Sequence, residues 1–458
     1  MTTETKRATL PALAAFVRGA TPPPAARARA ATAILDTIGV TLAGAAEPAG
    51  RIVQQIIAEE GSRACTVLGT GLRATAAGAA LANGTAAHAL DYDDMCFVSL
   101  AHPSAPLVAA ILAAGETIGA SGAQLGDAYV IGFEIEARLG RLMNPRHYQR
   151  GWHCTSTLGA IGAAAAVSRL MGLGEAAAAH AIAIAASEAS GLKENFGTMV
   201  KPLHAGLAAR DGVLAAALAR AGMTASTLAI EGPQGFLHAM DSAGDDLERE
   251  AADLGSRWEM LDTGITVKLY PSCAATHPPL DAILSLRRRE RFAADDVCTV
   301  LVEVDPITPT VLIYDWPTTG LEAKFSMAFC AAAAVIDGRV GIDTFDTLRM
   351  RDARMLAQMA RVEMTVDPAL GVEAPPLTQA RVHVHLRDGR VVSESANGAR
   401  GYPERPASDD EMAAKFLGCA SRTLSADAAN QVLALLRDFE AFRDVRQLTA
   451  LCTSEQKS

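Results

Sequence analysis

Three side chains able to carry positive charge or move a proton stand immediately before proline in this sequence: His102-Pro103, Lys201-Pro202 and His277-Pro278. The residue before a proline is pushed out of the α region, whereas proline is well tolerated in the first turn of a helix, so each is expected at a helix start. His153 joins them, because Thr155, Ser156 and Thr157 are candidate N-caps for the apolar run that follows. Free N–H groups and the helix dipole suit such positions to anions, so four of them bearing His or Lys could assemble a carboxylate pocket. Taken singly, each residue has a plainer reading as a structural hydrogen-bonding group.

The acidic run Asp91-Tyr92-Asp93-Asp94 ends a helical stretch ahead of His102. Carboxylates at a helix C-terminus oppose the dipole, which argues for a purpose beyond stability, and Asp91 is the candidate to orient and charge the His102 imidazole; a solvated loop is the alternative. Two other patterns carry less. Gly69-Thr70-Gly71-Leu72-Arg73-Ala74 matches a dinucleotide-binding GxGxxA, with Asp91 about twenty residues further on. No βαβ alternation follows it, so no dinucleotide cofactor is expected. His383 and His385 would share one face of a strand without a third ligand nearby, so a surface strand and no metal are expected there.

The elements that must position these residues are mostly helices. Half of the 458 residues are hydrophobic but only 5% are aromatic, so Ala, Leu, Val and Ile must build the core, a composition suited to close helix packing. Helical spacing runs from Ala25 to about Val267. Beyond Lys268 the texture changes: Val297–Val304 and Arg361–Val366 alternate like half-buried strands, and Arg381–Ser393 reads as a hairpin around Asp388-Gly389. Helices are expected over Glu322–Ile336 and Thr344–Ala360, and again after the N-cap candidates Ser408 and Ser425, over Asp409–Leu417 and Ala428–Phe442. The expected organisation is therefore mainly α: a large all-helical domain over residues 1–267, completed by 398–458, and a smaller α+β lid domain over 268–397.

A net charge of −10 argues against a nucleic-acid binder, which would present a basic face. The eight cysteines form no CxxC pair and read as reduced thiols of a cytoplasmic protein. The apolar run Leu10–Val17 is short and followed by Arg18 and prolines, so no signal peptide is expected; no stretch reaches membrane-spanning length.

The segments NGTAAHALDYDD, HPSAPLVAAILAAGE, GWHCTSTLGAIGAAAA, FGTMVKPLHAGLAARDG, VKLYPSCAATH, GLEAKFS and GYPERPASDDEMAAKF resemble, in this order, blocks of the MmgE/PrpD family. That family includes 2-methylcitrate dehydratases, cis-aconitate decarboxylases and iminodisuccinate epimerases. The resemblance implies a helical domain with an α+β lid, a homodimer, no cofactor, and a small anionic polycarboxylate bound between the domains. On matching positions it implies a site made of Asp91, His102, His153, Lys201 and His277, flanked by Tyr148 and Lys268. All three activities pass through negative charge at a carbon next to a carboxylate, which demands preorganised positive groups and a base of matched pKa. Lys201 and His277 are expected to hold carboxylates, with Lys268 beside them. His102, paired with Asp91, would move the proton, and His153 or Tyr148 would serve the leaving group. Dehydration of a citrate-like acid is the leading expectation. Epimerisation of an amino- or imino-dicarboxylate, decarboxylation, and a catalytically silent binding protein are the alternatives. Specificity is expected to rest on Met95, Leu100, Thr318 and Phe329.

Overall fold

Alanine and glycine decide how the first half of the chain packs. In the computed structural model, which describes residues 9–240, 247–371 and 379–454, ten helices follow one another: α1 (Thr9–Gly19), α2 (Pro24–Gly44), α3 (Pro48–Ala58), α4 (Ala76–His88), α5 (Ser104–Ile118), α6 (Gly122–Met143), α7 (Arg146–Gln149), α8 (Cys154–Leu170), α9 (Glu175–Glu188) and α10 (Val200–Arg220). Helices α4, α8 and α10 form the centre, and small side chains let their backbones approach. A Cβ on Gly84 of α4 would come within 2.9 Å of the Gly206 Cα of α10, and one on Gly206 would collide with the Leu81 carbonyl and the Thr85 hydroxyl. No other residue fits this crossing, and it aligns the C-terminus of α4 with the N-terminus of α10.

One hydrophobic cluster runs from Leu10 to Val267 and takes in Met412 to Cys452. Helices Asp409–Ala420 and Ala426–Arg437 pack back on α2. A second cluster spans Tyr270 to Ala396 and takes in Met95 of the first half, with Phe97, Leu100 and Tyr148 packed against it. It is built on a four-stranded sheet. After a two-residue hairpin, β1 (Cys65–Thr66) and β2 (Arg73–Ala74), the strands are β3 (Val297–Val304), β4 (Val362–Val366), β5 (Gln379–Leu386) and β6 (Val391–Asn397), in the spatial order β4-β3-β5-β6. β3 and β4 are parallel, and the other pairs antiparallel. The alternation of β3 buries Val297, Val300, Val302 and Val304 beneath helices His277–Glu290 and Met327–Asp337.

The fold is thus mainly α with a smaller α+β part. The first eight and last four residues of the expected helical region lie outside the described residues. Three element expectations need correction. Glu322–Ile336 is two helices, Gly320–Ala323 and Met327–Asp337, because the Ser326 hydroxyl caps a new start at the Phe329 N–H. Within Thr344–Ala360 only Ala353–Met359 is α-helical; the Asp346 and Asp352 side chains each cap a fresh start and break the stretch into 3₁₀ turns. The last long helix stops at Arg437 rather than Phe442. The GxGxxA segment lies in the β1–β2 hairpin, not at a βαβ crossover. All eight cysteines are free thiols, and among the described residues no single helix is long and apolar enough to cross a membrane.

Candidate active site

The four pre-helical residues do stand at helix starts. His102 precedes Pro103 and α5, His153 is the residue before α8, Lys201 is the second residue of α10, and His277 opens the helix His277–Glu290. The structure brings three of them together with Asp91, Tyr148 and Lys268 in one cleft, whose other walls are Met95, Leu100, Phe196, Cys273, Ala274, Val311 and Phe325.

Asp91 is the centre. It follows the end of α4 with a φ of 51°, a left-handed conformation that costs a non-glycine residue free energy and persists only where the surroundings impose it. Its Oδ1 accepts from Lys201 Nζ at 2.6 Å, and its Oδ2 and main-chain oxygen accept from Lys268 Nζ at 3.0 Å each. Burial alone would push this carboxyl up, but Lys201 and Lys268 overcome it and hold it well below the usual range. Behind it, Lys324 Nζ donates to Leu90 O at 2.7 Å and to Pro271 O at 2.8 Å. One buried ammonium therefore ties the Asp91 turn to the segment that carries Lys268 and Cys273.

His88, the last residue of α4, supports Lys201. Its Nε2 lies 2.8 Å from Lys201 Nζ and its Nδ1 2.8 Å from Asp93 Oδ2. An ammonium only donates, so Nε2 accepts, and the proton on Nδ1 goes to Asp93. His102 sits edge-on to the His88 ring, with Nε2 3.8 Å from Asp91 Oδ1 and Nδ1 3.5 Å from Asp93 Oδ2. Burial, then Lys268 and Lys201, drive its pKa well below the ordinary value, so His102 is a neutral imidazole. His153 is neutral for the same first reason; its Nδ1 meets His204 Nδ1 at 3.0 Å while its buried Nε2 has no protein partner. Tyr148 remains a phenol, raised by burial, with Lys193 Nζ 3.9 Å from its ring centroid.

Two expected contacts differ in detail. Asp91 stands 3.8 Å from His102, beyond hydrogen-bond reach, while its oxygens bond two lysines, and Asp93, through its bond to His88, is what orients an imidazole. His277 does not line the cleft. The 3₁₀ turn Ala274–Thr276 rotates it inward against Tyr270, where Nε2 meets Ser272 O at 3.2 Å, and burial pushes its pKa down to about 3. Cys273 and Ala274 are the residues of that segment that line the cleft. Of the four specificity candidates, Met95 and Leu100 line it, whereas Phe329 is packed against Phe345 in the second core and Thr318 bonds Glu322 near the surface. Phe325 takes the place expected of Phe329.

His88, Asp91, Asp93 and His102 place one ligand atom each within 4.8 Å of one another. A divalent cation there would face the Lys201 and Lys268 ammonium groups already paired with Asp91 and His88, so the donor set suits an ion-paired carboxylate better than a metal.

The MmgE/PrpD N-terminal domain matches residues 9–249 of this chain and the MmgE/PrpD C-terminal domain matches residues 270–440. The chain is 26% identical over 432 residues to the cis-aconitate decarboxylase of Homo sapiens, covering 91% of this chain and 88% of that protein. It is 28% identical over 451 residues to the cis-aconitate decarboxylase-like protein oryM of Aspergillus oryzae, with 93% of each chain covered. With the cis-aconitate decarboxylase of Aspergillus terreus it shares 26% identity over 456 residues, 94% of this chain and 92% of the other.

Proposed function

The chain belongs to the MmgE/PrpD family, and from that premise we propose that it is a lyase acting on a small polycarboxylate through negative charge developed at a carbon next to a carboxylate. The observation that carries this is the pair of ammonium groups on Asp91, facing the same cleft as a neutral His102. A substrate carboxylate set against Lys201 and Lys268 would have its developing aci-carboxylate charge stabilised by groups already in place, which is where preorganised electrostatics contributes most. The neutral imidazole of His102 takes the proton from the adjacent carbon. The hydroxyl on the next carbon then leaves as water, taking the phenolic proton of Tyr148, a carbon–carbon double bond forms, and the proton gained by His102 replaces the one Tyr148 gave. Dehydration is the leading reading because His102 at rest is a base.

A second reading is favoured by the full-length similarity to cis-aconitate decarboxylases. There the same charge would arise by loss of carbon dioxide, and a proton would be delivered to the carbon instead of removed from it. Proton NMR of the purified protein with citrate, 2-methylcitrate, cis-aconitate, iminodisuccinate and the alkyl-substituted dicarboxylate 2-butylmalate tests both. A new alkene with release of water supports the first, carbon dioxide with a decarboxylated product supports the second, and no change in any of the five contradicts the proposal. The homodimer implied by the family resemblance belongs to the same proposal, and light scattering of the full chain checks it.

A further inference from the structure

The walls of the cleft divide sharply in chemistry. Among the described residues the cationic side chains lining it are Lys201 and Lys268, and both already bond Asp91. His102 and His153 are neutral, Cys273 is held as a thiol, with burial and then Asp91 raising it to about 11, and no arginine lines the cleft among the described residues. Lys324 is spent on the Leu90 and Pro271 carbonyls behind it. The rest of the lining is apolar and firmly built. The Phe196 and Phe325 rings lie 5.8 Å apart, 7% and 3% exposed, and the Tyr314 hydroxyl donates to Phe196 O at 3.0 Å.

Resting on the reading that carboxylates bind at Lys201 and Lys268, we propose that the substrate is a dicarboxylate bearing an apolar substituent that packs on Met95, Leu100, Phe196, Val311 and Phe325, not a tricarboxylate. Each ammonium keeps one N–H beyond its bonds to Asp91 and His88, and these two donors with the Tyr148 hydroxyl can serve two substrate carboxylates. A third would be desolvated against rings and aliphatic carbon without a charged partner, which is strongly unfavourable. An alkyl group in that position instead removes apolar surface from water on both sides.

Isothermal titration of the full chain with unreactive probes tests this without requiring turnover: succinate, methylsuccinate, butylsuccinate, benzylsuccinate and tricarballylate. Affinity is expected to rise by about fourfold per buried methylene along the alkyl series. Butylsuccinate should exceed tricarballylate by at least about tenfold, and Phe325→Tyr should narrow that gap by giving the third carboxylate a hydroxyl donor. Lys201→Met should lose every probe. Tricarballylate binding as tightly as butylsuccinate, or affinity independent of chain length, overturns the proposal while leaving the carboxylate site intact. Binding that survives Lys201→Met, or no binding of any probe, overturns the site reading and this proposal together.

Discussion

Lys324→Met removes the ammonium shared by the Leu90 and Pro271 carbonyls while keeping a side chain of similar reach. Hydrogen bonds from a charged donor contribute about 1.5–3 kcal/mol each, so their loss destabilises by about 3–6 kcal/mol. Against this, burial lowers the Lys324 ammonium from 10.5 to about 8, an opposing cost of about 3 kcal/mol that methionine does not incur. The net change is about 0–3 kcal/mol, and in a chain of this length the melting temperature should fall by a few degrees at most. Activity should respond differently. Leu90 anchors a residue held at a φ of 51°, a conformation that stores about 1–3 kcal/mol, and once untethered the Asp91 turn relaxes away from Lys201 and Lys268. A displacement of about 1 Å in such a site lowers the rate on the order of a hundredfold. The assay pairs kcat/KM on the substrate found by the NMR panel with a thermal melt. A variant with kcat/KM within about threefold of the parent refutes the idea that Lys324 holds Asp91 in place, on the same hundredfold scale. A melting temperature that collapses along with the rate would make Lys324 a structural residue only.

Gly206→Ala forces a methyl group into the Leu81 carbonyl and Thr85 hydroxyl and should destabilise by about 1–3 kcal/mol or more in a denaturant melt; an unchanged midpoint would contradict the close crossing of α4 and α10. Asp91→Asn leaves Lys201 and Lys268 buried side by side without their anion, so it should cost about 3–5 kcal/mol and abolish turnover, and wild-type stability would contradict the ion-pair reading. Burial lowers His147 and His204 to about 4 and His277 to about 3, and His88, His102 and His153 are lowered too. Their folded values lie below the unfolded value of 6.5, so the stability they contribute is complete above pH 6.5 and is lost as pH falls from there through about 4. The melting temperature should drop steadily between pH 7 and 5, and a flat profile would show that these imidazoles are not held neutral.

Much of this arrangement is legible before any coordinates. The pre-proline spacing places His102, Lys201 and His277 at helix starts because proline is tolerated in a first helical turn, although Lys201 and His277 are themselves helical rather than extended, and the switch from helical to alternating periodicity after Lys268 marks the second core. Direction is what spacing does not carry. Whether His277 faces the cleft depends on one 3₁₀ turn at Ala274–Thr276, and Cys273 faces it instead. His88 escapes notice because it ends an alanine-rich helix, where a histidine reads as filler; its position three residues before Asp91 is the signal that was available. Phe196 and the adjacent pair Lys324-Phe325 lie far from Asp91 in sequence, and only the tertiary packing brings them beside it. The break at Ser326 inside an apolar run decides which phenylalanine meets the cleft: Phe325 before it does, and Phe329 after it turns into the core.

The most direct test of the central claim is solvent exchange at the carbon next to the bound carboxylate. The substrate identified by the NMR panel is incubated in deuterated water with the wild-type protein and with His102→Ala, and deuterium in recovered substrate and product is followed by NMR. With the wild type the account predicts deuterium at that carbon in recovered substrate, from reversible proton removal; a dehydrated alkene acquires none, and a decarboxylated product acquires one. With His102→Ala it predicts a rate lower by about a hundredfold or more and carboxylate binding retained. Recovered substrate without any deuterium at that carbon, or undiminished exchange in His102→Ala, would contradict it.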